Sequence, residues 1–180
     1  MRRSAQLIVP GLVIIFAVSA AAQMSSTASP ELKKLDYFSG TWTSAATIPA
    51  GPWGAGGKFT ATGTNEWMKG AFFLVSHADF SLPPELGGSG SAISVYAYDP
   101  DKRVDTEDRF DSIGRHEKRT GTLNGDTWTW NSEFDYAGMT IQSRLTVKTI
   151  SATSYSTKLE VSSDNGASWT SFWDGTAAKK

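Results

Sequence analysis

Between residues 127 and 161 apolar and polar residues alternate with a period of two, the pattern of half-buried strands and not of helices. Trp128, Trp130 and Phe134 share one face, against Thr127, Thr129, Asn131 and Glu133 on the other. The next segment opposes Met139, Ile141, Leu145 and Val147 to Thr140, Gln142, Arg144, Thr146 and Lys148. A third opposes Tyr155, Leu159 and Val161 to Ser154, Ser156, Lys158 and Glu160, and a fourth begins at Trp169. Asn124-Gly125 and Asp164-Asn165-Gly166 are hairpin turn sequences that tolerate positive φ, so these segments read as an antiparallel meander.

The amino-terminal half adds strands over 40–48, 58–68, 71–79, 92–99, 103–111 and 115–123, about ten in all. Ten hairpin-linked strands with one apolar face must close or stack, because an open sheet would leave two long exposed edges. The expected fold is therefore all-β: an antiparallel up-and-down barrel with an apolar lumen, a two-sheet sandwich being the alternative. A membrane barrel would need an outer apolar band about 25 Å tall. Lys148, Lys158 and Glu160 suit solvent instead, and the tryptophans sit mid-strand and not in girdles at strand ends. Before the strands, Ser29 and Pro30 fit the start of one or two helical turns that Gly40 ends. The connections 49–57 and 81–91 are rich in Gly and Pro, longer than a hairpin needs, and placed to cover one mouth of a barrel.

Arg2 and Arg3, an apolar run over 7–18 and the small triplet Ala20-Ala21-Ala22 form the three regions of a secretory signal peptide. The run is shorter than the roughly 20 residues of a membrane span and is broken by Pro10. The expected organisation is a signal peptide at 1–22, a flexible tether at 23–29 and one domain at 30–180, exported to the periplasm or beyond. No stable membrane insertion is expected after cleavage. The chain has 180 residues and no Cys, so an exported domain must hold together without disulfides. Seventeen basic against 18 acidic residues lack the excess of a nucleic-acid binder.

Gly40-Thr41-Trp42 after the short helix, Tyr98-Asp99-Pro100, Asp111-Ser112-Ile113-Gly114, Gly121-Thr122-Leu123-Asn124-Gly125-Asp126 and the closing Ser163-Asp164-Asn165-Gly166-Ala167-Ser168-Trp169 together resemble the bacterial DUF1579 family. That family is similar in turn to lipocalin-like, or calycin, barrels. The resemblance spans 32–180 and implies fold, with no catalytic residue set to carry over. Independently of that resemblance, Gly40 would end the helix and let Trp42 plug the closed end of the barrel, its indole N–H bonded to a neighbour, a device the lipocalins share.

Candidate chemistry is sparse. His77 and His116 each have a carboxylate nearby, in Asp79 and Glu117. A lumen His with such a partner would serve a haem-type or hydrolytic enzyme; otherwise these are solvated rim pairs. Two histidines are too few for a zinc site, and no cofactor is implied. Six acids and six bases crowd into 101–119. They read as a solvated hairpin with cross-strand pairs, or, more sharply, as one that turns Arg109 or Arg119 into the lumen to grip a carboxylate. Arg144 is a similar candidate. Trp53, among glycines and prolines, either covers the mouth or packs on its rim. The favoured reading is a non-catalytic binder of a small apolar or amphipathic molecule, with candidate contacts Trp53, Phe59, Trp67, Leu74, Trp128, Trp130, Ile141 and Arg144. A barrel filled solid by its tryptophans, serving as an interaction module, is the remaining alternative.

Overall fold

The computed structural model describes residues 27–52, 54–136 and 138–180. The expected leader, the first part of the tether and Trp53 lie outside the described residues. Ten strands follow one another: β1 (Gly40–Ile48), β2 (Gly57–Trp67), β3 (Leu74–Ser81), β4 (Ser89–Asp99), β5 (Val104–Asp111), β6 (His116–Asn124), β7 (Thr127–Tyr136), β8 (Met139–Ser151), β9 (Ser154–Ser162) and β10 (Thr170–Lys179). Each pairs antiparallel with the next, and β10 pairs back onto β1 from Trp42↔Lys179 to Thr47↔Asp174. The sheet is thus a closed up-and-down barrel and not a sandwich, and closure leaves no free edge.

The turns explain the register. Asn165 and Gly166 both adopt positive φ, as a tight hairpin requires, and Gly125 does the same between β6 and β7. Two expectations need correction. The connection after β3 is shorter than 81–91, because Ser81 pairs with Ser89 and both strands extend to meet a short 3₁₀ turn at Pro84–Leu86. Trp169 precedes β10 and stands outside the barrel: its ring lies 4.2 Å from the Arg144 guanidinium, and its indole N–H donates to Gly166 O.

One end of the barrel is plugged. Pro30–Phe38 forms a 3₁₀ helix, preceded by Ser29, whose hydroxyl bonds the Glu31 carboxylate and not a helix N–H. Leu32 and Leu35 point into the barrel and join Leu74, Trp128, Trp130 and Val147 in one buried cluster. The Phe38 carbonyl at the helix end accepts hydrogen bonds from Trp42 Nε1 at 2.9 Å and from Asn65 Nδ2 at 2.6 Å. The Tyr37 hydroxyl sits between the carbonyls of Ser151 and Ser154, 2.9 and 2.8 Å away, and so reaches the β8–β9 turn. Gly40, at φ +95°, makes the sharp passage from helix to β1 that a side-chain-bearing residue would strain. Lys179 of β10 places its ammonium 5.5 Å from the Trp42 ring, closing the plug from the other side of the seam.

Beneath the helix lies a buried acid. Asp105 of β5 is almost fully enclosed, and its Oδ1 has no hydrogen-bond partner among the described residues. Burial pushes its carboxyl up to about 6, against the pull of the Lys34 charge and with a push from Glu31.

The opposite end carries the connections 49–56 and 82–88, which approach each other: a Cβ on Gly54 would stand 3.3 Å from Glu85 Cγ. Toward this mouth β6 and β7 part company. Their pairing runs only from Asn124↔Thr127 to Arg119↔Ser132, although β6 begins at His116 and β7 continues to Tyr136.

Two outcomes are expected in urea unfolding. Trp42→Phe, which keeps an aromatic but smaller ring and removes the bond to Phe38 O, should cost about 1–2 kcal/mol, and Trp42→Ala about 3–5 kcal/mol. An unfolding midpoint unchanged in Trp42→Phe would show that the bond contributes nothing. Because the folded Asp105 holds its proton to about pH 6 and the unfolded chain releases it near 3.8, this group removes stability as pH rises through that window, by roughly 3 kcal/mol at most. Asp105→Asn should therefore raise the melting temperature more at pH 7 than at pH 4. An equal effect at both values would refute the shift.

Candidate ligand-binding site

The inner face is built from alternate residues of every strand, and its two halves differ. Register carries the inward side round the barrel: Trp42 opposes Gly63, Leu74 opposes Tyr96, Tyr96 opposes Glu107, Glu107 opposes Arg119, Arg119 opposes Ser132 and Trp130 opposes Leu145. Where β1, β7, β8 and β9 supply aromatic and aliphatic side chains, β2 and β3 supply small ones, and the mismatch leaves space. A cavity of about 170 Å3 lies against the helical plug. Trp42, Leu74, Trp130, Leu145, Val147 and Tyr155 form its apolar wall, with Phe38 as part of its floor. Ala61, Gly63, Ser76 and Ala78 leave the opening between them, and Ser44, Asn65, Tyr96, Glu107 and Thr157 supply polar groups.

The rings are positioned by neighbours. Trp130 stacks on Trp128 with centroids 5.7 Å apart and meets Tyr96 edge-on at 5.6 Å. It lies flat because Gly121 faces it across β6: a Cβ there would come within 2.5 Å of the indole. Trp42 contacts Tyr155 at 4.9 Å.

The polar side is a buried ionic chain, so the charged hairpin is not simply solvated. Asp105, Glu107, Arg109 and Asp111 alternate along β5 and share the inner face, as do Glu117 and Arg119 on β6. Arg119 donates from Nη1 to Glu107 Oε2 at 3.0 Å and from Nη2 and Nε to the two oxygens of Glu117 at 2.5 and 3.0 Å. Ser132 then donates to Glu117 and also contacts Ser143 at 2.6 Å. Burial alone would favour neutral forms here. Instead Glu107 and Glu117 outweigh it and raise the Arg119 pKa, while Arg119 and Ser132 outweigh it at Glu117 and lower that carboxyl. The Tyr96 phenol is driven well above its ordinary value, first by burial and then by the neighbouring Glu107 charge. Arg109 lies farther toward the mouth, its guanidinium 5.7 Å from the Phe80 ring, and forms no ion pair among the described residues.

Of the residues expected to line a ligand site, Leu74 and Trp130 do. Trp128 supports Trp130 from behind, and Trp67 packs at the plugged end with its indole N–H on Asp36 at 2.7 Å. Phe59 stacks on Trp173 at 4.8 Å, and Ile141 is wholly buried; neither touches the cavity. Arg144 is a correction. Lying between the inward Ser143 and Leu145, it points outside, where it pairs with Glu160 at 2.9 Å and covers Trp169. Arg119 does turn inward, but its fork is occupied by this protein's own carboxylates.

The histidine-based alternatives fall on geometry. His77 and His116 are both exposed. His77 opposes Ile93, Ile93 opposes Phe110, and His116 stacks on Phe110 at 4.4 Å, so the two form part of one outer row across β3 to β6. The chain has no other histidine, and none faces the lumen. The tryptophans do not fill the barrel solid, since a space of about 170 Å3 remains beside the plug.

Residues that hydrophobicity did not flag are Tyr96, Glu107, Asn65, Ser44, Ser76 and Thr157. The signal that finds them is register: stepping outward from Trp130 through the Asn124-Gly125 turn reaches Gly121 and Arg119, and then Glu107 and Tyr96.

No family model and no curated protein sequence matches the chain. Among solved structures it is similar to Rv2717c from M. tuberculosis, with a TM-score of 0.58 and 12% identity over 85% of this chain and 99% of that one. A more distant likeness, with a TM-score of 0.43 and 11% identity over 83% of this chain and 98% of the other, is to EF1p2_mFAP2b bound to DFHBI. At these identities the first likeness bears on the fold alone.

The ionic chain makes its own prediction. Arg119→Met leaves Glu107 and Glu117 buried without their counter-charge and should cost about 3–5 kcal/mol at pH 7. Protonation relieves the uncompensated acids, so the loss should shrink at pH 5. Chemical denaturation at the two pH values decides it, and a pH-independent loss would mean that packing, not charge, is what Arg119 supplies.

Proposed function

We propose that this chain is an exported, lipocalin-like binding protein of the DUF1579 type, non-catalytic, whose lumen holds one compact apolar or amphipathic guest. The observation that carries the reading is the cavity of about 170 Å3 between an aromatic wall and a row of small residues, floored by the helical plug. Concave sites with mostly apolar walls and a few convergent polar groups are the usual form of a small-molecule site. Its volume is close to the roughly 150 Å3 of an apolar cavity that accepts benzene, and well below the space a long-chain lipid fills.

A benzene-sized guest should bind saturably, seen as a change in tryptophan fluorescence as Trp42 and Trp130 sense the occupied cavity. Ala61→Phe, which fills the cavity from β2, should abolish that change while the far-ultraviolet circular dichroism stays that of the barrel. Binding equal in the filled variant, or none in the parent, would sink the lumen reading. Export has a separate test: the protein recovered from its native host should begin at Gln23. An intact Met1 in the exported fraction would refute cleavage there.

A further inference from the structure

Among the described residues, Glu107 is the only formally charged one that lines the cavity. It is almost fully buried, and its Oε2 accepts a hydrogen bond from Arg119 at 3.0 Å. A carboxylate offers about four lone-pair positions, so the Arg119 salt bridge and the Tyr96 hydroxyl together leave acceptor capacity for a guest. Of the donors around the cavity, Trp42 Nε1 and Asn65 Nδ2 go to Phe38 O, the Arg119 fork is divided between Glu107 and Glu117, the Tyr96 hydroxyl is engaged with Glu107, and the Tyr155 and Ser44 hydroxyls with each other. The formal charge that a guest meets there is negative. A second carboxylate placed beside Glu107 would face like charge in a medium that screens it poorly.

We propose that the cavity selects a compact aromatic compound that donates a hydrogen bond, from a ring hydroxyl or ring N–H, to Glu107, and that it rejects carboxylates of the same shape. The inference rests on the lumen-binding reading above and adds the polarity of the guest. Ring walls from Trp42 and Trp130 and the small volume set the shape; Glu107 sets the chemistry. Arg109 is the competing anchor, since it is the lumen-side cation without an ion pair among the described residues, but it stands beside Phe80 toward the mouth and does not line the cavity.

Calorimetric titration of the full chain with p-cresol, toluene and benzoate tests this, because the three differ little in size and differ in donor and charge. A hydrogen bond to a charged acceptor should make p-cresol at least about tenfold tighter than toluene, with no saturable binding of benzoate. Glu107→Gln should weaken p-cresol about tenfold and leave toluene within about threefold. Toluene equal to p-cresol overturns the proposal while the lumen remains a binding site. Benzoate tightest of the three, with that preference lost in Arg109→Gln, overturns it in favour of the mouth-side anchor. If none of the three binds, the lumen reading fails and this inference with it. The three ligands on the parent protein decide the matter even where Glu107→Gln folds poorly.

Discussion

Much of this barrel depends on one carbonyl. Phe38 O, at the end of the amino-terminal helix, accepts from Trp42 on β1 and from Asn65 on β2, and so ties the plug to two adjacent strands at once. A helix end leaves carbonyls without partners, and burying one in an apolar cluster would be costly. Here the two donors meet that need and in doing so fix the angle at which Leu32 and Leu35 enter the lumen. The same residue floors the cavity, so the contact that closes the barrel also defines the space left inside it.

Inside the barrel, apolar packing and charge divide the volume between them. The Trp128–Trp130 stack, Leu74 and Val147 fill the plugged end in the manner of an ordinary core. Glu107, Arg119 and Glu117 occupy the neighbouring wall, where burying charges is rarely a gain over well-packed hydrophobes. Their arrangement instead keeps a polar surface facing the cavity. With Glu107 bonded to Arg119, the lumen is not a uniform oily pocket but one with a carboxyl group on a single side.

The sequence made the strands legible to within a few residues, because turns such as Asp164-Asn165-Gly166 and the faces of β7 to β9 leave one solution. Trp42 was legible for the same reason, its place following from a glycine, a helix end and a large ring. The site was legible only in its apolar part. Along β5 the two faces are Val104, Thr106, Asp108 and Phe110 against Asp105, Glu107, Arg109 and Asp111, so hydrophobicity points, if anywhere, the wrong way. Only pairing with β6 and β4 decides that the acids go inside. Arg144 misled because a charged residue between two inward positions is as often a surface ion pair as a ligand anchor. The small residues Ala61, Gly63 and Ala78 gave no signal, since a cavity is made by what is missing.

The parting of β6 from β7 has consequences in time as well as in space. In a closed barrel nearly every amide is held by a neighbouring strand, and exchange with solvent then awaits cooperative opening. Beyond Arg119↔Ser132 the facing backbones of 116–118 and 133–135 lack that mutual ladder, and side chains, Ser132 with Glu117, hold the wall together instead. Side-chain contacts rearrange in nanoseconds, whereas ladders open far more slowly. This stretch is the zipper end of an otherwise seamless cylinder, and it stands directly beside the ionic chain that runs inward to the cavity.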